Sequence, residues 1–388
     1  MARRPTGAQE RKPLRYAHPF FTATPPHDRP ADFSRHGRRM ASWVAQKSGP
    51  IPPPVREPVV QLSELIGTEA VGEIEAAGTI RFHAVGDTGR PEVHNANQEG
   101  VANQMAADYA PEAGAANPAL FLHLGDVIYG PHKEQLYRDE FYRPYMKYPG
   151  KIAAIPGNHD GEVFAETDPE PLRAFLDNFC SPVAEVPPIA DEVRIFRETV
   201  TLPGVYYLLR APFLDVVALY SNIAEGPGSI IGKDGDSKQK DWLQATLGAI
   251  ARERQAGNRK GLVFAVHHPP YSNGGHAGSE QMLRDFDDVS AQAGVQPDAV
   301  VSGHAHNYQR HTRRVAGREI PFVVAGCGGH NDAAVDEATG QVDGDHSFDS
   351  SFKGFGYLLL TASQRRLEID FINLGAQQPF DTATVNLN

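Results

Sequence analysis

Scarcity sets the first limits on this chain. It has two cysteines, Cys180 and Cys327, in 388 residues. They stand in unrelated contexts, so neither a disulfide framework nor a cysteine-based zinc site is expected, and a reduced compartment is the natural reading. No run of about 18 apolar residues exists, so no membrane-spanning helix is expected. Positive charge is not in excess. The 37 Lys/Arg against 48 Asp/Glu give a formal net charge of -11, which argues against nucleic acid as the main partner. The first residues carry paired arginines but no apolar stretch behind them, so they do not read as a signal peptide. The expected location is cytoplasmic as written, or extracytoplasmic if a leader was removed. There is no P-loop, no Rossmann fingerprint, no GxSxG elbow and no Ser/His/Asp set.

What the chain has in quantity is core and loop together. It is 40% hydrophobic and 22% charged, enough for a sizeable core, while 37 Gly and 31 Pro imply many turns. Residues 1–40 hold nine Lys/Arg against three acids, which leaves the other 348 residues at -17. Proline is dense over 25–58. Residues 1–77 therefore read as a basic, Pro-rich arm without strand character, packing on or extending from a catalytic domain over 78–388. Apolar runs predict strands at 79–85, 119–124, 151–156, 261–266, 298–303, 320–326, 356–362 and 366–372, with a hairpin inside 205–221. Helices are predicted over 92–108, 133–148 with a break at Pro144, 170–180 and 237–256. One more is marked by Met282, Phe286 and Val289 behind Ser279 as N-cap. The stretches 222–236 and 327–353 read as long loops contributing to substrate binding.

Five blocks carry the chemistry: "GDTG" at 86–89, "GDVIY" at 125–129, "GNHD" at 157–160, "VHHPPY" at 266–271 and "GHAH" at 303–306. Four of them follow an apolar run, which places their polar side chains at the carboxyl ends of strands, where open α/β sheets hold ligands. A strand-end aspartate such as Asp87 or Asp126 is as often a helix N-cap as a ligand. Asn158, His267, His304 and His306 shift the balance, because burying so many polar groups without a shared ion would be costly. Oxygen and imidazole donors with almost no sulfur suit a hard or borderline metal, or two of them.

In combination the blocks resemble the calcineurin-like metallophosphoesterase superfamily over roughly residues 78–375. Within it the chain looks most like the purple acid phosphatases. Gly89 stands where most relatives carry a histidine, two residues after the first aspartate. Tyr129 stands three residues after Asp126, where purple acid phosphatases place a metal-bound tyrosinate. "DWLQATL" at 241–247, "HNYQR" at 306–310 and "GCGG" at 326–329 are further matches, and Phe264 departs from the usual valine. The resemblance implies an α/β fold: a four-layer α/β-β/α sandwich with two mixed sheets and a dinuclear metal site at strand ends. One ion would take Asp87, Asp126, Tyr129 and His306, the other Asp126, Asn158, His267 and His304, with Asp126 bridging. A phenol with an ordinary pKa of about 10 binds as phenolate only to a strongly acidic cation, which favours Fe(III) at the tyrosine site; the Asn/His/His remainder suits Fe(II), Zn or Mn.

The same resemblance gives His159 a place facing the phosphate as hydrogen-bond donor or general acid. Asp160 either orients that ring or is a helix cap or solvent-facing acid. His276 takes the place of a substrate-facing histidine that protonates the leaving group, although its flanking glycines equally suit a mobile surface loop. His268 reads as packing, and His83, His123 and His330 receive no role. The implied activity is hydrolysis of phosphomonoesters by attack of metal-bound hydroxide, releasing inorganic phosphate. A phosphodiesterase of the same superfamily and a non-catalytic scaffold are the alternatives. No nucleic acid partner is expected.

Overall fold

A computed structural model describes residues 51–90, 95–164, 166–221, 227–232 and 235–387. The basic part of the arm and much of the 222–236 stretch lie outside the described residues. Two mixed sheets form the frame. The first has nine strands in the order Val59–Gln61, Tyr207–Arg210, Leu214–Leu219, Gly261–Val266, Ala299–Ser302, Arg318–Ala325, Tyr308–Val315, His346–Phe352 and Val342–Asp343. The second has six, in the order Asp381–Asn386, Arg366–Asn373, Gly356–Ser363, Thr79–Val85, Leu120–His123 and Lys151–Ala154. Its last three strands run parallel.

The central strands are apolar on both faces because both faces are covered. All six residues of Gly261–Val266 are buried. Val263 and Ala265 pack into the cluster that joins the two sheets, while Leu262, Phe264 and Val266 pack into a second cluster with the outer helices. Ala299 and Val301 against Val300 repeat the alternation, as strand pleat requires. The covering helices are Lys238–Gln255, through Leu243, Leu247 and Ile250, and Glu280–Ala293, through Met282, Phe286 and Val289. Ser279 caps the latter, its hydroxyl accepting from Met282 N–H at 3.2 Å, and Gly294 ends it in a left-handed turn. On the far side, helices Thr68–Ala77 and Ala96–Ala107 lie against the second sheet. Helix, sheet, sheet, helix gives the four layers.

Three expectations need correction. Val59–Gln61, expected to lack strand character, pairs in parallel with Tyr207–Arg210 and forms the edge of the larger sheet. Three residues beside prolines are too few for a periodic signal. The 327–353 stretch is not simply loop: His346–Phe352 pairs antiparallel with Tyr308–Val315. Its Ser and Asp residues hide it, since this end of the sheet is partly exposed. The 133–148 segment is helical and ends before Pro144 as expected, but it is not a regular α-helix: one turn, Lys133–Leu136, runs into a π-helical turn, Tyr137–Tyr142. Pro144 has no N–H to give Glu140 O, and Gln98 Nε2 donates to that carbonyl at 2.6 Å instead.

The sheets meet where the functional blocks lie. Gly86 N–H donates to Ala325 O at 3.0 Å, tying the end of one sheet to the end of the other. Asp87 N–H donates to Gly125 O at 2.9 Å and Gly303 N–H to His267 O at 2.9 Å, so neighbouring strand ends are bonded to each other.

Candidate metal centre

Four of the candidate ligands sit beyond strand ends in cramped turns. Asp87, Asp126, His304 and His306 have φ of 59°, 54°, 68° and 48°. Four non-glycine residues in the left-handed region at one spot is strain of the kind that gathers at functional sites, on the order of 1–3 kcal/mol each. The turns close tightly enough to need glycine: a Cβ on Gly303 would lie 2.5 Å from Asp87 Oδ2, and one on Gly125 would lie 2.6 Å from His267 Nδ1.

The donors fall into two groups. Asp87 Oδ1, Tyr129 Oη and His306 Nε2 form a triangle with sides of 3.3, 3.4 and 3.3 Å. His267 Nε2 lies 3.1 Å from Asn158 Oδ1 and 3.3 Å from Asp126 Oδ2. Donor atoms of Asp126, His267 and His304 all lie within 4.8 Å of one another. His267 Nε2 is 4.0 Å from Asp87 Oδ1, so the two groups adjoin. Ligands sharing an ion at about 2.0–2.2 Å are separated by roughly 3–3.5 Å, the spacing found here.

Asp126 supplies the test of whether a cation fits. Its carboxylate is buried, and Oδ1 accepts His159 N–H at 2.8 Å. Oδ2 has no hydrogen-bond partner although His267 Nε2 is close by. Two side chains that approach without bonding are aimed at a common third point, and a buried carboxylate oxygen left bare is costly unless a cation meets it. The residues fit a metal pair. The outer bonds also aim the ligands. His267 Nδ1–H donates to Leu124 O at 2.8 Å, Asn331 Oδ1 bonds His306 Nδ1, and Asp87 Oδ2 accepts His304 N–H at 2.6 Å.

Electrostatics agree with this assignment. Burial, with the neighbouring imidazoles of His268 and His276, holds His304 well below its ordinary value, so it is neutral and free to coordinate. Burial pushes His267 down, but the carboxylates of Asp126 and Asp87 outweigh that and raise it to about 9. A proton on His267 thus stands in for the missing positive charge. Burial, then Asp126 and Asp87, raises the Tyr129 phenol well above its ordinary value, so only a cation can draw it into the phenolate form.

His159 and His276 are brought to the same place. The His159 ring lies 4.4 Å from the Tyr129 ring, and that of His276 stacks at 4.2 Å on His304 and lies 5.6 Å from His306. Asp160 does not orient His159. Its carboxylate accepts Gly157 N–H at 2.8 Å and Val127 N–H at 3.2 Å, holding the turn that presents Asn158, while His159 Nδ1 pairs with Glu162 at 3.1 Å. The cause is geometric: both carboxylate oxygens of Asp160 are turned onto backbone N–H groups of Gly157 and Val127.

Sequence reasoning missed Glu162, Lys133 and His330. Lys133 is buried, and its ammonium bonds the His159 and Asp160 carbonyls. The His330 ring stacks on Tyr129 at 3.6 Å and 13°, with Nδ1 bonded to Gly89 O. Its position just after the "GCGG" block was the one available signal. His268, bonded to Ser221 Oγ at 2.7 Å, and His123, bonded to Thr88 Oγ1 at 2.9 Å, are satisfied within the core.

A family model of the calcineurin-like phosphoesterases matches residues 80–308, a span that contains all five blocks. The chain belongs to the calcineurin-like phosphoesterase family. No curated protein matches it. Among solved structures, a purple acid phosphatase from yellow lupin (Lupinus luteus) seeds is similar at 16% identity and TM-score 0.55, over 79% of this chain and 54% of that one. GAP50, described as the anchor in the inner membrane complex of Plasmodium, is similar at 12% identity and TM-score 0.54, over 80% of this chain and 89% of that one. The phosphoesterase chain thus spans about half the length of the lupin protein, and both likenesses are of fold. Family membership implies two metal ions at the strand ends. No helix among the described residues is long and apolar enough to cross a membrane.

Proposed function

We propose that this phosphoesterase is a dinuclear-metal phosphatase that hydrolyses phosphomonoesters in the manner of purple acid phosphatases. The observation that carries the proposal is the bare, buried Asp126 Oδ2 between two sets of converging donors. Asp87, Tyr129 and His306 hold one ion, in this proposal Fe(III), because a buried phenol among carboxylates ionises only against a strongly acidic cation. Asn158, His267 and His304 hold the other, Fe(II), Zn or Mn. Asp126 bridges. When bound, the ions polarise the phosphate oxygens and make a nucleophile available from water at neutral pH.

The chain's own side chains supply the rest. His159, steadied by Glu162, donates to the phosphate. His276, beside His304 and His306, delivers the proton that the departing alkoxide requires. Burial, then the nearby His306, holds its imidazole down to about 3.

A phosphodiesterase with Mn or Zn, and Tyr129 outside the coordination sphere, is the second reading within the family. A scaffold on this fold is the third, as the Plasmodium neighbour's description brings to mind. Such a protein has no need of ligands, and here all seven donors are present and converge. The deciding experiment combines metal analysis of iron-supplied protein, its visible spectrum, and rates on mono- and bis-nitrophenyl phosphate. Two metals, colour and preference for the monoester support the proposal; no bound metal, or faster cleavage of the diester, overturns it.

A further inference from the structure

His276 lies on a small hairpin, Asn273–Gly274 paired with His276–Ala277, whose backbone has almost no room. Gly275 turns it with φ 77°, its Cα pressed on the backbone of Ala305 between His304 and His306. A Cβ on Gly274 would lie 2.5 Å from Ala334 O. The hairpin is wedged between the ligand block and the 333–336 segment, yet two-residue strands have little stability of their own.

Ser272 Oγ donates to Gly274 O and Asp336 N–H to Asn273 O, each at 2.9 Å, and a further buried side chain ties the hairpin from behind. Gln309, on the strand Tyr308–Val315, is fully buried and uses both ends of its amide. Oε1 accepts Asn273 N–H at 2.6 Å. Nε2 donates to Gly274 O at 3.1 Å, Ser272 Oγ at 3.2 Å and Asn307 Oδ1 at 2.8 Å. The amide orientation is fixed from behind. His311 Nε2 meets Oε1 at 3.1 Å, and its Nδ1 meets His346 Nε2 at 3.0 Å, leaving buried His346 Nδ1 without a partner. Only one proton order satisfies this row: His346 Nε2–H to His311 Nδ1, and His311 Nε2–H to Gln309 Oε1. A flipped amide would set N–H groups against Asn273 N–H and His311 Nε2–H, and its oxygen against the Gly274 carbonyl.

We propose that Gln309 is a positioning residue for His276, acting through the hairpin it holds. This rests on the reading of His276 as the leaving-group acid. The hairpin gives Gln309 no contact with the ester itself, so its loss changes where the acid sits and leaves the ions in place.

The test is the dependence of rate on leaving-group pKa, over a series of aryl and alkyl phosphates, for metal-loaded Gln309→Leu, His276→Ala and the double variant. Gln309→Leu should keep its metal content and lose rate increasingly as the leaving group worsens, on the order of 10–100-fold for alkyl esters. The double variant should be no slower than His276→Ala, because an absent acid cannot be mispositioned. Ser272→Ala, which removes one of the amide's partners, should steepen the slope less, and it covers the case in which Gln309→Leu fails to fold. Amide exchange over 273–277 should quicken in either variant. A uniform loss across all esters, or a multiplicative double variant, would overturn the proposal. Loss of metal in Gln309→Leu would also overturn it, since that places its effect at His306 through Asn307. An unchanged slope in His276→Ala alone would remove the acid and the proposal together, and is recognised from that single variant.

Discussion

Two buried aspartates, one beside each sheet, are served in opposite ways. Asp298 precedes the strand Ala299–Ser302, and its carboxylate is met by Arg254 and Arg259 at 2.8 Å each, by Arg318, and by Leu262 N–H at 2.8 Å. Beyond the far end of that strand lies His304, near Asp126, which has one backbone N–H on Oδ1 and, near Oδ2, the His267 imidazole at 3.3 Å without a hydrogen bond. The first end supplies its own cations and so is structure. The second has only a titratable imidazole within reach, and leaves a carboxylate oxygen without a hydrogen bond. Satisfaction, not burial, separates scaffold from site.

The most severe way to probe this contrast is Asp126→Asn. It should remove metal and lower turnover by several orders of magnitude while the protein stays folded. Retention of two metals at near-normal rate, by elemental analysis and steady-state kinetics, would break the comparison at its functional end. Asp298→Ala is the counterpart. Stripping the carboxylate from three arginines should cost about 3–5 kcal/mol in denaturant unfolding, with metal content and turnover of the folded fraction unchanged.

A third expectation concerns pH. His267 is raised in the folded state to about 9 from an unfolded value of about 6.5. Its contribution is therefore complete below about pH 6.5 and lost as pH rises through 9. Chelator-treated protein should lose thermal stability over that window, whereas metal-loaded protein and chelated His267→Gln should not. The arginine end adds no such slope, since guanidinium stays charged. The mildest test is Tyr129→Phe. If the phenolate binds Fe(III), the oxidised protein is coloured and this variant bleaches, with a loss of rate smaller than that of Asp126→Asn; a colourless parent with full iron would remove the chain from the purple branch.

Much of this was legible because chemistry and fold share one signal. Strands that are apolar on both faces, such as Gly261–Val266, announce themselves, and the ligand blocks begin where they stop. Gly89 and Tyr129 were readable as a pair, since one departs where the other compensates. What stayed hidden depended on contacts across the chain. Glu162 has no local pattern and His330 only its place after "GCGG"; each is notable for the ring it touches. His346–Phe352 is a strand through pairing with Tyr308–Val315 rather than through its own composition. Asp160 was left open between orienting His159 and capping a helix, and the turn geometry decides for the cap.

The centre draws its donors from position 87 to position 306, one or two from each strand end, and they converge only after both sheets are paired and bonded through Gly86 and Ala325. No early fragment contains a complete binding site for either ion. Metal held by these donors would therefore be bound by the assembled pair of sheets and by no single stretch of chain.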